Sequence, residues 1–477
     1  MNNAPRQLFR RPKPYFFNYF LKLLITFGIW LVLFSMIYVN SQLNLVTGTD
    51  AFLYLSGVGF LLAFLIGTGA ACLYLFDHKT FADNKDLALI LTATALLAVI
   101  FEILVMSSLN IYLLPVAGVA MLLALLINPL TSCIVSLILS AAFGLATQES
   151  FRVFITMFSG SVLAILLVSN TRRRSQILNT GLLIGVLNCS VISFFGFYDG
   201  SNTTGIPPAA LWGLGAGIFS SFIVMGLLHL FETLFNITTN ITLLELSDLN
   251  NPLLKNLILH APGTYHHSLI VGNLAEAACD AIKANSLLGR VGAYYHDIGK
   301  VEKAEYFSEN EIEIKSKHTG LTPSMSCLII TNHVRDGVEV ARKYRLPRAI
   351  VDFIAQHHGT GLIYFFYQRA LETVKDEALL KEEDFRYPGP KPQTKEAAVV
   401  LLADSVEASS RTLSDPTPAK LRALAQRIIN NKFIDGQLDE CELSLKDLNK
   451  IADSFSRILA GIFHTRIEYP VVSSSST

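Results

Sequence analysis

Five short segments between residues 264 and 407 hold the side chains able to do chemistry: Tyr265-His266-His267-Ser268, His296-Asp297-Ile298-Gly299-Lys300, Asn332-His333-Val334, Gln356-His357-His358-Gly359-Thr360 and Ala403-Asp404-Ser405. Nine of the chain's 11 histidines lie from His260 onward. Imidazole and carboxylate together suit iron, manganese or zinc, and a carboxylate beside a histidine can reach across two such ions. The chemistry this permits is hydrolysis of a phosphate ester. One ion with open coordination acidifies a water, and a second steadies the phosphate oxygens. Asp297 is the natural bridge, with His267, His296 and Asp404 on one side and His333, His357 and His358 on the other. Lys300 would set a positive charge against the phosphate, a catalytic role beside that of Asp297.

Helices must position these groups. Leu269, Val271, Leu274, Ala275, Ala278 and Ile282 recur at helical spacing and predict a helix over 268–283, with His267 at its amino-terminal end. Residues 292–298 read as a buried helix that stops at Gly299, with His296-Asp297 in its last turn. Further helices fit 324–344, 347–357, 362–373, 395–411, 420–431 and 443–463, and strand signals are nearly absent, so this half is all-α. Each ligand then sits on or at the end of a helix that is otherwise apolar, as in bundle metal sites.

Any one of these residues could be ordinary. A lone buried histidine is usually a core residue with its hydrogen bonds met, and His318 and His464 read that way. Five segments that each place a ligand-type residue in an apolar helix are another matter, because a small domain has no structural need for so many buried polar groups. His260 and His266 stay outside the ligand set, and Arg411, two turns past Asp404, reaches either a substrate phosphate or a surface carboxylate.

Composition says what surrounds the site. The 477 residues are 51% hydrophobic and 16% charged, with a mean hydropathy of +0.44, too apolar for a soluble protein. Residues 15–235 hold the excess, in runs long enough to cross a bilayer, and 240–477 read as a soluble domain. The zero net charge gives no sign of DNA or RNA binding, and six scattered cysteines support neither disulfides nor a thiolate metal site. Arg6, Arg10, Arg11 and Lys13 precede the first apolar run, which puts the amino terminus in the cytoplasm. Seven further spans fit near 51–76, 87–107, 111–128, 130–148, 151–169, 178–198 and 209–235, with Lys79, Lys85 and Arg172-Arg173-Arg174 in cytoplasmic loops. Eight crossings return the chain to the cytoplasm, provided that Asn128-Pro129 is a turn and not a kink. Glu102, an ionisable group inside a span, reads either as a sensing residue or as a carboxyl paired within the bundle.

The order His267, His296-Asp297, His333, His357-His358, Asp404 resembles the HD superfamily of metal-dependent phosphohydrolases. The segments 261–268, 296–300 and 356–360 resemble more closely the bacterial seven-transmembrane-receptor HD proteins, whose known members are cyclic di-AMP phosphodiesterases. The resemblance implies seven ligands, falling on His267, His296, Asp297, His333, His357, His358 and Asp404, for two iron or manganese ions. It also implies attack of a metal-activated hydroxide on one phosphorus of cyclic di-AMP to give linear pApA. Gln356-His357-His358-Gly359-Thr360 lacks the residues that mark the HD-GYP enzymes, so a cyclic di-GMP phosphodiesterase ranks lower, as does a non-catalytic nucleotide-binding membrane receptor. Similar family members carry a large extracytoplasmic domain where this chain has only the short loop 40–50.

The expected architecture is therefore an all-α chain, a polytopic membrane helix bundle followed by an all-helical cytoplasmic HD domain. Its parts are a basic amino terminus with the first span and loop (1–50), a seven-helix bundle (51–235), a connector helix (236–259), the HD domain (260–470) and a disordered tail (471–477). Expected partners are a cyclic dinucleotide substrate and the inner-membrane bilayer, with room for a homodimer and for a regulatory partner of unspecified kind.

Overall fold

Backbone polar groups in a long apolar run must be satisfied within the run, so such a run coils into a helix. The computed structural model describes residues 15–43, 49–147, 150–169, 171–198, 206–311, 317–373 and 380–463. The basic residues of 1–14, His464 and the expected disordered tail lie outside them. The chain divides into two units, Met1–Ile241 and Thr242–Thr477.

The first unit contains α1 (Tyr15–Leu43), α2 (Thr49–Phe76), α3 (His78–Ala82), α4 (Asn84–Met106), α5 (Val116–Leu126), α6 (Pro129–Leu145), α7 (Ser150–Val168), α8 (Arg174–Tyr198) and α9 (Ile206–Phe235). Among the described residues six of these are long and apolar enough to cross a membrane: α1, α2, α4, α7, α8 and α9. Their outward faces carry large apolar side chains such as Phe52, Phe60, Leu75 and Leu166, while Thr94, Ser136, Ser140, Asn188 and Ser220 are buried. This is a polytopic membrane helix bundle. Its tightest seam joins α8 to α9, where a Cβ on Gly217 would come within 2.2 Å of Gly185 N and 2.3 Å of Gly181 O.

The two remaining apolar helices, α5 and α6, have 11 and 17 residues. At 1.5 Å per residue α5 is only about 16 Å long, roughly half the hydrocarbon core of a bilayer. The expected spans at 111–128 and 130–148 are thus shorter than read, and they form a helical hairpin. Asn128 caps α6 by accepting from Thr131 N at 2.8 Å, and Ser132 Oγ donates to Ala120 O at 2.7 Å across the pair. Asn128-Pro129 is a turn. Its tip is pinned to the corner after α2, because Asn128 Nδ2 and Thr131 Oγ1 each donate to Asp77 Oδ2 at 2.7 Å.

Helix α10 (Asn240–Leu246) straddles the division, and the second unit goes on with α11 (Pro252–His260), α12 (Pro262–Ala281), α13 (Ser286–Tyr295), α14 (Pro323–Lys343), α15 (Arg348–Gln356), α16 (Tyr364–Thr373), α17 (Lys395–Ser410), α18 (Pro418–Ile434) and α19 (Leu445–Ile462). The connector carries α10 and α11, the second starting at Pro252 under the Asn251 cap. Among the described residues the only β-type pairing is an isolated antiparallel bridge between Leu362 and Arg386. Helix α17 is the axis of this unit. Its residues Ala397 to Asp404 are buried without a break, together with Val406, Glu407 and Ser410, and it packs against α12, α13, α15, α18 and α19. A helix apolar on every side belongs at the centre of a domain. Two polar groups on such a helix, Asp404 and Glu407, therefore need partners.

Candidate metal centre

Asp297 stands in the break between α13 and a following 3-10 segment, Ile298–Tyr306. The helix expected over 292–298 ends three residues earlier, at Tyr295, and starts at Ser286 under a cap from Asn285. His296 and Asp297 accordingly lie beyond its last turn. Gly299 is not a left-handed cap; a Cβ there would stand 2.0 Å from His333 O and 2.4 Å from Gly337 N, so it is the point where the Asp297 turn presses on α14. Helix α12 begins at Pro262, earlier than the expected 268, which puts His267 inside the helix rather than at its end.

Four imidazoles converge on the Asp297 carboxylate from elements far apart in sequence. His333 Nε2 and His357 Nε2 lie 3.3 Å and 3.5 Å from Oδ1, and His296 Nε2 and His267 Nε2 lie 3.2 Å and 3.8 Å from Oδ2. His358 joins the Oδ1 group, so one cluster is His267, His296 and Asp297 and the other is Asp297, His333, His357 and His358. Asp404 links the two, with Oδ1 3.0 Å from His267 Nε2 and Oδ2 3.4 Å from His358 Nδ1. All seven expected ligand residues are brought together. His266 is exposed on another face of α12, and His318 points elsewhere, its Nε2 2.9 Å from Tyr306 O.

Both oxygens of Asp297 and Nε2 of His296 are buried without a hydrogen-bond partner. Buried polar atoms are otherwise paired almost everywhere in proteins, so three such atoms side by side need an explanation. Divalent cations supply one: the donors are imidazole nitrogen and carboxylate oxygen, the set that iron, manganese and zinc accept, and the orphaned atoms face one another. The residues fit a two-ion centre.

Protein groups alone set strong pKa shifts here. Burial opposes ionisation of Asp297, but the His296 imidazole and the Lys300 ammonium hold its carboxyl well below the usual range. Burial likewise works against a charged Lys300, yet Asp297 and Glu309 keep it protonated. Its Nζ forms an ion pair with Asp297 Oδ2 at 2.7 Å and donates to Glu309 Oε1 at 2.8 Å. Burial lowers His357 to about 4 and holds His358 well below its ordinary value, so both are neutral, as metal-ligating imidazoles must be. His267 behaves differently. Burial disfavours its charge, but the Asp404 and Glu407 carboxylates on its two nitrogens push it up to about 10.

A cavity of about 290 Å³ opens beside the His267 side of the centre, lined by His267, Lys300, Ser308, Glu309, Asp404, Glu407, Arg411 and Thr412 among others. Its lining combines two cations, Lys300 and Arg411, with three carboxylates, Glu309, Asp404 and Glu407, and two hydroxyls. Arg411 is already engaged: Nε and Nη2 lie 2.7 Å and 2.6 Å from Glu407 Oε1. On the other flank Tyr387 stacks on His358, with centroids 4.2 Å apart. Its loop is held by Tyr387 N donating to Gly361 O at 3.0 Å and by Arg386 paired with Asp435 at 2.9 Å. Glu309, Glu407 and Tyr387 were not singled out by the sequence reading. Glu407 alone left a signal, standing three residues after Asp404 and four before Arg411 on a helix that is otherwise apolar.

A family described as "7TM receptor with intracellular HD hydrolase" matches residues 52–239, and the HD domain family matches residues 264–409, which include every residue of the centre. The chain belongs to this family of seven-transmembrane HD proteins. It is 40% identical over 443 residues to a Bacillus subtilis protein named "Cyclic-di-AMP phosphodiesterase PgpH", covering 90% of this chain and 62% of that one. A Listeria monocytogenes protein of the same name is 39% identical over 417 residues, covering 84% of this chain and 57% of its own. The chain thus spans about three fifths of the length of these curated relatives. The crystal structure of the Listeria monocytogenes PgpH HD domain in complex with cyclic-di-AMP is 48% identical, covers 46% of this chain and 100% of its own, and superposes with a TM-score of 0.43.

Proposed function

We propose that this protein is a membrane-anchored, metal-dependent phosphodiesterase that hydrolyses cyclic di-AMP to linear pApA. The observation that carries the reading is the Asp297 carboxylate, buried and without a hydrogen bond, with imidazoles facing each of its oxygens. The names of the two curated relatives support the substrate.

His267, His296, Asp297, His333, His357, His358 and Asp404 would hold two divalent ions, iron or manganese. When bound, such ions acidify a water and neutralise charge at the phosphorus. The chain's own residues do the rest. Asp297 offers one oxygen to each cluster and fixes their spacing. Lys300, kept protonated by Asp297 and Glu309, presents its charge at the cavity wall, where it attracts the phosphodiester. Ser308 and Thr412 offer hydroxyls to the same ligand. Burial of His267, His296, His333 and His357 keeps bulk water from their nitrogens.

The amino terminus and the HD domain lie in the cytoplasm, with the bundle in the cell membrane. Even parity of the crossings and the positive loops at Lys79, Lys85 and Arg172-Arg173-Arg174 support this orientation. The domain limits are those of the bundle at 51–235, the connector at 236–259 and the HD domain at 260–470.

The test uses the full chain in detergent micelles, loaded with manganese without oxygen and given cyclic di-AMP and cyclic di-GMP side by side. The reading expects pApA from the first, abolished when His296 and Asp297 are both replaced by Ala. Preference for cyclic di-GMP would change the substrate, and bound metal without turnover of either would point to a receptor.

A further inference from the structure

The ligand histidines are not oriented alike. His296, His333 and His357 each turn Nδ1 to a backbone carbonyl of their own chain segment, Ala293 O at 2.6 Å, Ile330 O at 2.5 Å and Ile354 O at 2.9 Å. Those carbonyls come with the local turn and cost the sequence no dedicated side chain. His267 has a carboxylate instead. Its Nδ1 lies 2.6 Å from Glu407 Oε2, a side chain 140 residues away that is 2% exposed. An ionised carboxylate only accepts, so the proton of this bond belongs to Nδ1, and Nε2 is the nitrogen left for the site, where it faces Asp297 and Asp404. Glu407 is itself fixed by Arg411, whose Nε and Nη2 both reach Oε1.

We infer that Glu407 is a positioning residue for the metal centre, setting the tautomer and basicity of His267, and that Arg411 acts through Glu407 to hold it there. The inference rests on the proposal that His267 holds a metal ion. A carboxylate behind a ligating imidazole makes it a better donor and fixes its ring, and losing such a partner typically weakens metal binding by about 10- to 100-fold. The backbone-anchored histidines have no equivalent to lose, so the effect falls on one ion. This also moves Arg411 out of a direct substrate role: with two nitrogens on Glu407, its first task is to hold the carboxylate.

The experiment strips the full chain in detergent with chelator and titrates it calorimetrically with manganese alone. Wild type is expected to bind two ions. Glu407→Ala should weaken one of them by about 10- to 100-fold and leave the other unchanged, and Glu407→Gln, which keeps an acceptor but no charge, should fall between. Arg411→Gln should weaken the same ion by a smaller factor. Unfolding temperature of the stripped proteins separates folding from binding: a general structural defect would lower it and weaken both ions together, and that pattern overturns the inference. So does manganese binding by Glu407→Gln and Glu407→Ala equal to wild type. A rise in KM in Arg411→Gln with metal binding unchanged overturns the Arg411 half. No manganese bound by wild type refutes the metal-dependent reading itself, a result distinct from all of these.

Discussion

His333 Nε2 lies 3.3 Å from Asp297 Oδ1, across the carboxylate from His296 Nε2, which lies 3.2 Å from Oδ2. The two imidazoles face different oxygens, so in the proposed two-ion centre they would hold different ions. Replacing either by Ala should leave one ion bound and remove the other. Each loss should reduce turnover of cyclic di-AMP by more than about 100-fold, since even outer partners of ligands cost 10- to 100-fold. Metal analysis of each variant checks the count, and equal loss of both ions from each would argue against separate roles.

In the proposed mechanism Lys300 would act on the rate through its charge at the cavity wall. Removing one fixed charge aimed at a developing negative charge typically costs about 10²–10³ in kcat. Lys300→Gln should therefore keep both ions yet lose roughly that factor. A kcat within about threefold of wild type would take Lys300 out of catalysis.

Gly299→Ala tests the packing that sets the Asp297 turn. Its Cβ would meet His333 O at 2.0 Å and Gly337 N at 2.4 Å, both backbone atoms that cannot rotate aside. Forcing a methyl group into such a contact costs about 1–3 kcal/mol or more. The unfolding temperature of the full chain in detergent should drop and metal occupancy with it; an unchanged melting curve would mean that the turn can shift.

Metal binding should strengthen as pH rises. His267 reaches about 10 from an ordinary 6.5 because Asp404 and Glu407 hold its proton against the effect of burial. A folded-state pKa raised in this way stabilises the metal-free fold fully below about 6.5, and that stabilisation is lost as pH rises through about 10. A cation binding to Nε2 has to displace that proton. Calorimetry in buffers of different ionisation enthalpy should detect proton release at pH 7.5, and a manganese affinity that does not change between about pH 6 and 8 would contradict it.

The ligand residues were legible because each is a polar interruption in an apolar helical period, and the chemistry of imidazole with carboxylate is narrow. The helices of the second unit were legible for the same reason, to within a few residues at most ends. What escaped depended on contacts between distant segments. Gly299 reads as a helix stop in sequence, yet its role is set by the backbone of α14 pressing on it. The turn at Asn128-Pro129 between two short apolar spans was legible, but the shortness of α5 and α6 and the fastening of Asn128 and Thr131 to Asp77 were not. Glu407 has the residue type of any surface carboxylate; its meaning comes from His267, on another helix.

The most direct test of the account is the metal content of the full chain and of Asp297→Ala, each purified without oxygen. A carboxylate shared between two ions predicts two ions per chain in wild type and loss of both, with turnover of cyclic di-AMP abolished, in the variant. One ion in wild type, or a variant that keeps both, would contradict the shared carboxylate on which the mechanism stands.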